Sequence, residues 1–217
     1  MKDEVFKIAI DAARKVHREA GDLRGELRVP VTGPINQTTP VHVLAWAIKK
    51  IKLPIEIRRT EVQGEEVNAF IARYEKACFI WVSLQANHCY KRYYICKELI
   101  HVLTFEDGNR FADYTSDQVT RLIRGLLSKG LKVGESYSDS IKMEYAAYLG
   151  AIELLMPTYR MPEYIEYIEA VKDYAENELK IRDFNPYAEL AKRIEVPEFI
   201  VTARMEPSPS LGDLFSS

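Results

Sequence analysis

Arg92-Tyr93-Tyr94-Ile95-Cys96-Lys97-Glu98-Leu99-Ile100-His101-Val102-Leu103 is the stretch whose reading decides the fold. Residues three and four apart meet on a helix, so Ile95, Leu99, Val102 and Leu103 form one apolar stripe. Tyr94, Lys97, Glu98, His101 and Phe105 share the adjoining face. The spacing therefore predicts a helix with one edge against a core. A glutamate and a histidine three apart on such an edge are the second half of the HExxH pattern. There two histidines bind zinc and the glutamate polarises the attacking water. In this chain the first histidine position is Lys97. Taken alone, the pair also fits a helix with a half-exposed Glu and His and no metal.

A second segment gives the pair weight. From Ser138 to Met156, Ile141, Tyr145, Tyr148, Ile152 and Leu155 step by four and three, which predicts another core-facing helix. Its neighbouring face carries Glu144, Ala147 and Ala151, small residues that let a second helix approach closely. Ser138, Asp139 or Ser140 can cap its start, and Pro157 ends it. An acidic side chain at the head of that face is placed to meet the polar edge of the first helix.

Outward from these two segments the chain reads as α+β. Residues 3–20 form an amphipathic helix with Val5, Ile8, Ala9, Ala12, Ala13 and Val16 inward, stopping at Gly21. A Gly/Pro/Thr-rich loop from Gly21 to Pro40 leads to a short helix from Val41 to Ile51. Ile55 to Ile57, Val67 to Ala72 and Ala77 to Leu84 read as strands, the last continuous enough in Cys78–Val82 to be fully buried. Everything from Asn87 onward is helix and connector, with Gly108, Gly125, Gly130 and Gly134 punctuating the middle and a break between helices at Pro157–Pro162. Helices from Asn185 to Ile194 and from Val196 to Met205 follow, and residues 207–217 read as a loose tail. The expected division is a domain over 1–157, a helical extension over 158–206, whose last two short helices across a tight turn resemble a helix-turn-helix, and the tail.

Composition excludes several classes. With 217 residues, 47% hydrophobic and 29% charged, the chain has the makeup of an ordinary globular protein. Thirty basic against 32 acidic side chains, a formal charge of −2, disfavour a nucleic-acid coat or a cationic membrane-surface module. No run approaches the roughly 18 apolar residues that span a bilayer. The acidic start lacks a secretory h-region. Cys78, Cys89 and Cys96 are odd in number and form no CxxC, so no disulfide framework is expected. The expected location is the cytoplasm, with no membrane partner.

The two helices together resemble the ImmA/IrrE family of zincin-like metallopeptidase proteins. That family carries R-F-x-x-A-H-E-L-G-H followed by E-x-x-A-N-x-F-A-x-E-L-L-M-P. Arg92 to His101 resembles the first motif and Glu144 to Pro157 the second, with Glu153-Leu154-Leu155-Met156-Pro157 the most specific part. The resemblance covers residues 38 to 206 and implies a zincin-like metallopeptidase fold with a C-terminal helical extension. It also implies Glu98 as the catalytic general base, and His101 and Glu144 as metal ligands. The implied cofactor is zinc and the implied partner a helix-turn-helix repressor, in phage or mobile-element control. Lys97 stands at the first ligand, Ile100 at the glycine and Tyr148 at the asparagine. The segment between His101 and Glu144 is also longer than the family norm.

Lys97 is the departure with chemical consequences. A catalytic zinc takes three protein ligands and an open position, and only His101 and Glu144 remain. An ammonium about 4 Å from a divalent ion at an effective dielectric near 20 is repelled by roughly 8 kcal/mol before relaxation. Two arrangements avoid this: the ammonium takes the cation's place in an ion pair with Glu144, or it extends to solvent over an empty site. His88, Cys89 and Cys96 lie too far around or along the helix to complete a tetrahedron, and His17 and His42 have no ligand-like partners in the sequence. Tyr90, Tyr93, Tyr94, Tyr145 and Tyr148 gather near the site, and aromatic packing accounts for them.

Three functions compete. One is a regulator that binds a repressor through a dismantled peptidase site. Another is an active metallo-endopeptidase using Glu98, which the retention of both Glu98 and His101 favours; Lys97 leaves enzyme status open. The third is a DNA-binding regulator working through residues 185–206, where Lys192, Arg193 and Arg204 supply positive charge against Glu189, Glu195 and Glu198.

Overall fold

The computed structural model describes residues 4–27, 40–61, 68–74, 76–104 and 139–207. Helix α1 (Glu4–Leu27) and helix α2 (Pro40–Ile51) precede three strands, β1 (Ile55–Thr60), β2 (Ala69–Arg73) and β3 (Cys78–Ser83). Helices α3 (His88–Thr104) and α4 (Asp139–Leu155) follow, then a 3-10 turn (Thr158–Arg160) and helices α5 (Met161–Asn177), α6 (Pro186–Arg193) and α7 (Glu198–Met205). This is an α+β arrangement of one small sheet and mostly helices. Phe105, the glycines from 108 to 134, Ser138 and residues 208–217 lie outside the described residues.

The sheet has the order β1-β3-β2, with β1 parallel and β2 antiparallel to β3. Ile80 of the central strand pairs with Ile57 on one side and Ile71 on the other. Strand side chains alternate between faces, so Ile55, Ile71, Cys78, Ile80 and Val82 point into the core. Phe79 and Trp81 point the other way and are only half-buried. There the Arg58 guanidinium lies 3.8 Å from the Phe79 ring centroid, and Phe70 stacks on Trp81 at 6.0 Å. The continuous apolar run of β3 thus serves two faces instead of lying wholly inside. Aromatic residues spread over a half-covered surface leave the same unbroken hydrophobic pattern in the sequence.

Helix α1 differs from its expected outline in two ways. It runs past Gly21 to Leu27, because one glycine costs a helix about 1 kcal/mol and does not by itself end it. Its buried residues are Phe6, Ala9, Ile10, Ala13 and Val16, whereas Ile8 is 47% exposed. Phe6 meets Tyr145 of α4 edge-on at 5.3 Å, and that contact rotates the inward stripe away from Ile8. Helix α2 starts with Pro40 in the first turn, where a missing N–H costs nothing.

Helix α3 is the centre of the molecule. It touches β2 and β3 as well as α1, α2 and α4. Helix α4 approaches through Gly150: a Cβ there would stand 2.9 Å from Ile100 Cγ2 and 3.0 Å from the Ala9 carbonyl oxygen. The expected small-residue approach is therefore real, but glycine sits at the tightest point, with Ala147 and Ala151 buried beside it. After Pro157, Leu190, Ala191, Ile194, Val196, Ile200 and Val201 join the same hydrophobic core as the sheet and α3.

Candidate functional site

Because α3 is enclosed on several sides, its polar edge is buried along with its apolar stripe. Arg92, Tyr93, Cys96, Glu98, Leu99, Ile100, His101 and Val102 are all buried. Glu98 is 3% and His101 1% exposed. Charged groups so placed must be paired. The Lys97 ammonium donates to Glu144 Oε2 at 2.8 Å and lies 3.0 Å from Glu98 Oε1. The other oxygen of Glu144, Oε1, is 3.0 Å from His101 Nε2. One carboxylate, carried in by α4, thus faces both the amine and the imidazole of α3. The Lys97 side chain is 15% exposed; it turns inward to the carboxylates and does not extend to solvent.

The electrostatics follow from this geometry. Burial by itself would lower the Lys97 pKa, yet Glu98 and Glu144 override it and hold the ammonium well above its ordinary value. Burial would raise the Glu144 carboxyl, but Lys97 and then His101 drive it far below the usual range. Both groups of the pair are therefore charged across the neutral range.

The donor set does not fit a catalytic zinc. His101 and Glu144 supply two of the three protein ligands such an ion takes, and one oxygen of that carboxylate is bonded to the Lys97 amine. Among the described residues, no group of three or more His, Cys, Asp or Glu side chains could hold a metal ion. The other candidates are engaged elsewhere. His88 lies 3.3 Å from Glu195, and His17 Nε2 is 3.0 Å from the Glu153 carbonyl oxygen. Burial pushes the Cys96 thiol up to about 12, against a smaller opposing pull from Arg92. Cys78 is buried and Cys89 half-buried, neither of them in a disulfide. The side chain of His42 lies outside the described residues.

The tyrosines form a packed box. Tyr93 meets Tyr148 at 5.7 Å and Tyr94 at 5.1 Å, and Tyr90 meets Tyr94 at 6.0 Å. Phe199 of α7, absent from the group that the sequence suggests, closes the box against Tyr90, Tyr93 and Tyr148. Tyr145 lies apart, against Phe6. Burial holds the Tyr93 phenol far above its ordinary value, which suits a packing role.

A second buried charge cluster escapes the sequence reading. Glu153 accepts from the Arg204 guanidinium at 2.9 Å, from the Thr158 hydroxyl at 2.8 Å and from the Thr158 backbone N–H at 2.9 Å. Arg14 of α1 lies 3.7 Å from the same carboxylate. The signal is present in the chain: a lone glutamate inside an apolar run is a buried charge awaiting a partner. Arg204 is therefore no part of a positive outer surface; its charge is turned inward to Glu153 with 3% of the side chain exposed. Glu198 and Thr202 are the exposed positions of α7, so that helix offers no basic face. Arg193 stacks over Tyr167 at 5.0 Å.

No protein-family profile matches this sequence, and no curated protein is significantly similar to it. Among solved structures, a Mycobacterium tuberculosis transcriptional regulator aligns with 97% of this chain and 54% of its own, at 12% identity and a TM-score of 0.44. The chain thus spans about half the length of that regulator. No helix among the described residues is long and apolar enough to cross a membrane.

Proposed function

We propose that this chain is a regulatory protein on a zincin-like scaffold of ImmA/IrrE type. An internal ion pair has replaced the metal, and the protein acts by binding a helix-turn-helix repressor without cutting it. The observation that carries this reading is the Lys97 ammonium held between Glu98 and Glu144. A glutamate whose carboxylate is paired with an ammonium is not free to polarise a water, and His101 with Glu144 leaves a zinc one protein ligand short of three. What remains is a rigid joint between two helices.

The test has two arms. Protein purified without chelator is expected to hold well under one zinc per chain; about one tightly held zinc would overturn the reading. Incubated with a co-encoded repressor, the protein is expected to retain it uncut, with or without chelator. Chelator-sensitive cleavage would establish the competing peptidase reading, which the close packing of Glu98 and His101 in one buried site favours. The DNA-binding reading predicts a steep salt dependence of DNA affinity, lost on changing Lys192 and Arg193. The burial of Arg204 counts against it.

A further inference from the structure

Helix α7 touches both helices that build the charged cluster through Phe199; one buried arginine ties it to α4, and another holds the chain just ahead of it to α3. Just ahead of it, where α6 ends, Arg92 of α3 donates to the Ile194 carbonyl at 2.8 Å and to the Glu195 carbonyl at 2.9 Å. It also approaches the Glu195 carboxylate at 3.2 Å. Ile194 is the C-cap of α6, and a cation fits at the C-terminal end of a helix. Toward its trailing end, Arg204 binds Glu153 of α4 and the Thr158 hydroxyl. Between these anchors, Phe199 lies 5.2 Å from the Tyr93 ring and 5.8 Å from the Tyr148 ring. Tyr93 is one turn from Lys97 on α3, and Tyr148 is one turn from Glu144 on α4. The aromatic contact therefore stands one turn along from the ion pair, on the same two helices.

We propose that α7 is a positioning element for the Lys97–Glu144 cluster. Phe199 holds Tyr93 and Tyr148 together and so keeps α3 and α4 at the separation at which one ammonium reaches both carboxylates. Displacing α7 opens the cluster and exposes Lys97. Because interfaces of this kind shift between discrete arrangements, with little continuous deformation between them, the cluster behaves as a joint that α7 keeps closed. This holds whether or not the cluster ever bound a metal, and so does not depend on the regulatory reading above.

The experiment is acetylation of the full chain by an N-hydroxysuccinimide ester at fixed pH, read lysine by lysine by mass spectrometry. Exposed Lys172 serves as the internal standard, and amide exchange of β3 as the measure of global folding. In the native protein Lys97 is expected to label at least tenfold more slowly than Lys172. Phe199→Ala is expected to raise Lys97 labelling at least tenfold with Lys172 and the β3 amides unchanged, Phe199→Leu less, and Phe199→Tyr hardly at all. Should Phe199→Ala abolish β3 protection, the milder Phe199→Leu variant decides in its place. A folded Phe199→Ala or Phe199→Leu protein whose Lys97 labels within twofold of native would overturn the proposal.

Discussion

At the scale of the residue, Lys97 determines what the site is. Its amine is bound by two carboxylates of which one, Glu98, is almost wholly enclosed. Removing one partner of a buried pair strands the other, at a cost of about 3–5 kcal/mol. Lys97→Met is accordingly expected to lower unfolding free energy by about 3 kcal/mol, measured by urea denaturation. Lys97→His has a different expected result: with the ammonium gone, zinc uptake rises toward one per chain, read by metal analysis after dialysis. No rise would mean that residue 97 does not face the position a first ligand would occupy. The pair also fixes a pH signature. Glu144 is depressed below its ordinary 4.5, so its stabilisation is complete above that value and is lost as pH falls through the depressed one. Lys97 is raised above its ordinary 10.5, so its share is complete below that value and is lost only as pH rises through the raised one. The stability gap between the native protein and Glu144→Gln should thus be widest near neutral pH and shrink below about pH 4.5. A gap that stays constant from pH 7 to 3 in denaturant titrations would contradict the pairing.

At the scale of the element, the contacts of α3 and α4 are set by one absent side chain. Gly150 on α4 leaves the space that the Ile100 side chain of α3 fills. Gly150→Ala would drive a methyl group against Ile100 and a backbone oxygen of α1. The expected loss is about 1–3 kcal/mol of stability, even though alanine is the better helix former, and thermal unfolding would show it. Helix α6 illustrates local control. Asn185 accepts from the backbone N–H groups of Tyr187 and Ala188 at its start. At its end, Glu195 at φ 55 turns the chain, with Val196 N–H donating to the Ala191 carbonyl. Asn185→Ala should cost about 1 kcal/mol by loss of the cap.

At the scale of the whole molecule, Glu153 joins segments that the chain order keeps far apart: Arg14 on α1, Thr158 in the turn and Arg204 on α7. Glu153→Gln is expected to destabilise the protein by about 3 kcal/mol, whereas replacing Glu153 and Arg204 together by leucine should recover most of the loss. Denaturant midpoints of the Glu153→Gln variant and of the double leucine variant would show this recovery. The sequence by itself determined the periodic elements: the α3 and α4 stripes, the three strands, the break after Pro157 and the pairing of Lys97, Glu98 and His101 on one edge. These depend on spacing of three and four or of two along the chain, and local geometry makes them legible. Only the tertiary structure decided that the polar edge of α3 is enclosed, that Ile8 faces out, that Phe79 and Trp81 share an outer face, and that Arg204 is turned inward to a glutamate. Periodicity says which residues share a face but not what covers it. Burial, and with it the choice between a solvated charge and a locked ion pair, arises from contacts between segments that no local spacing encodes.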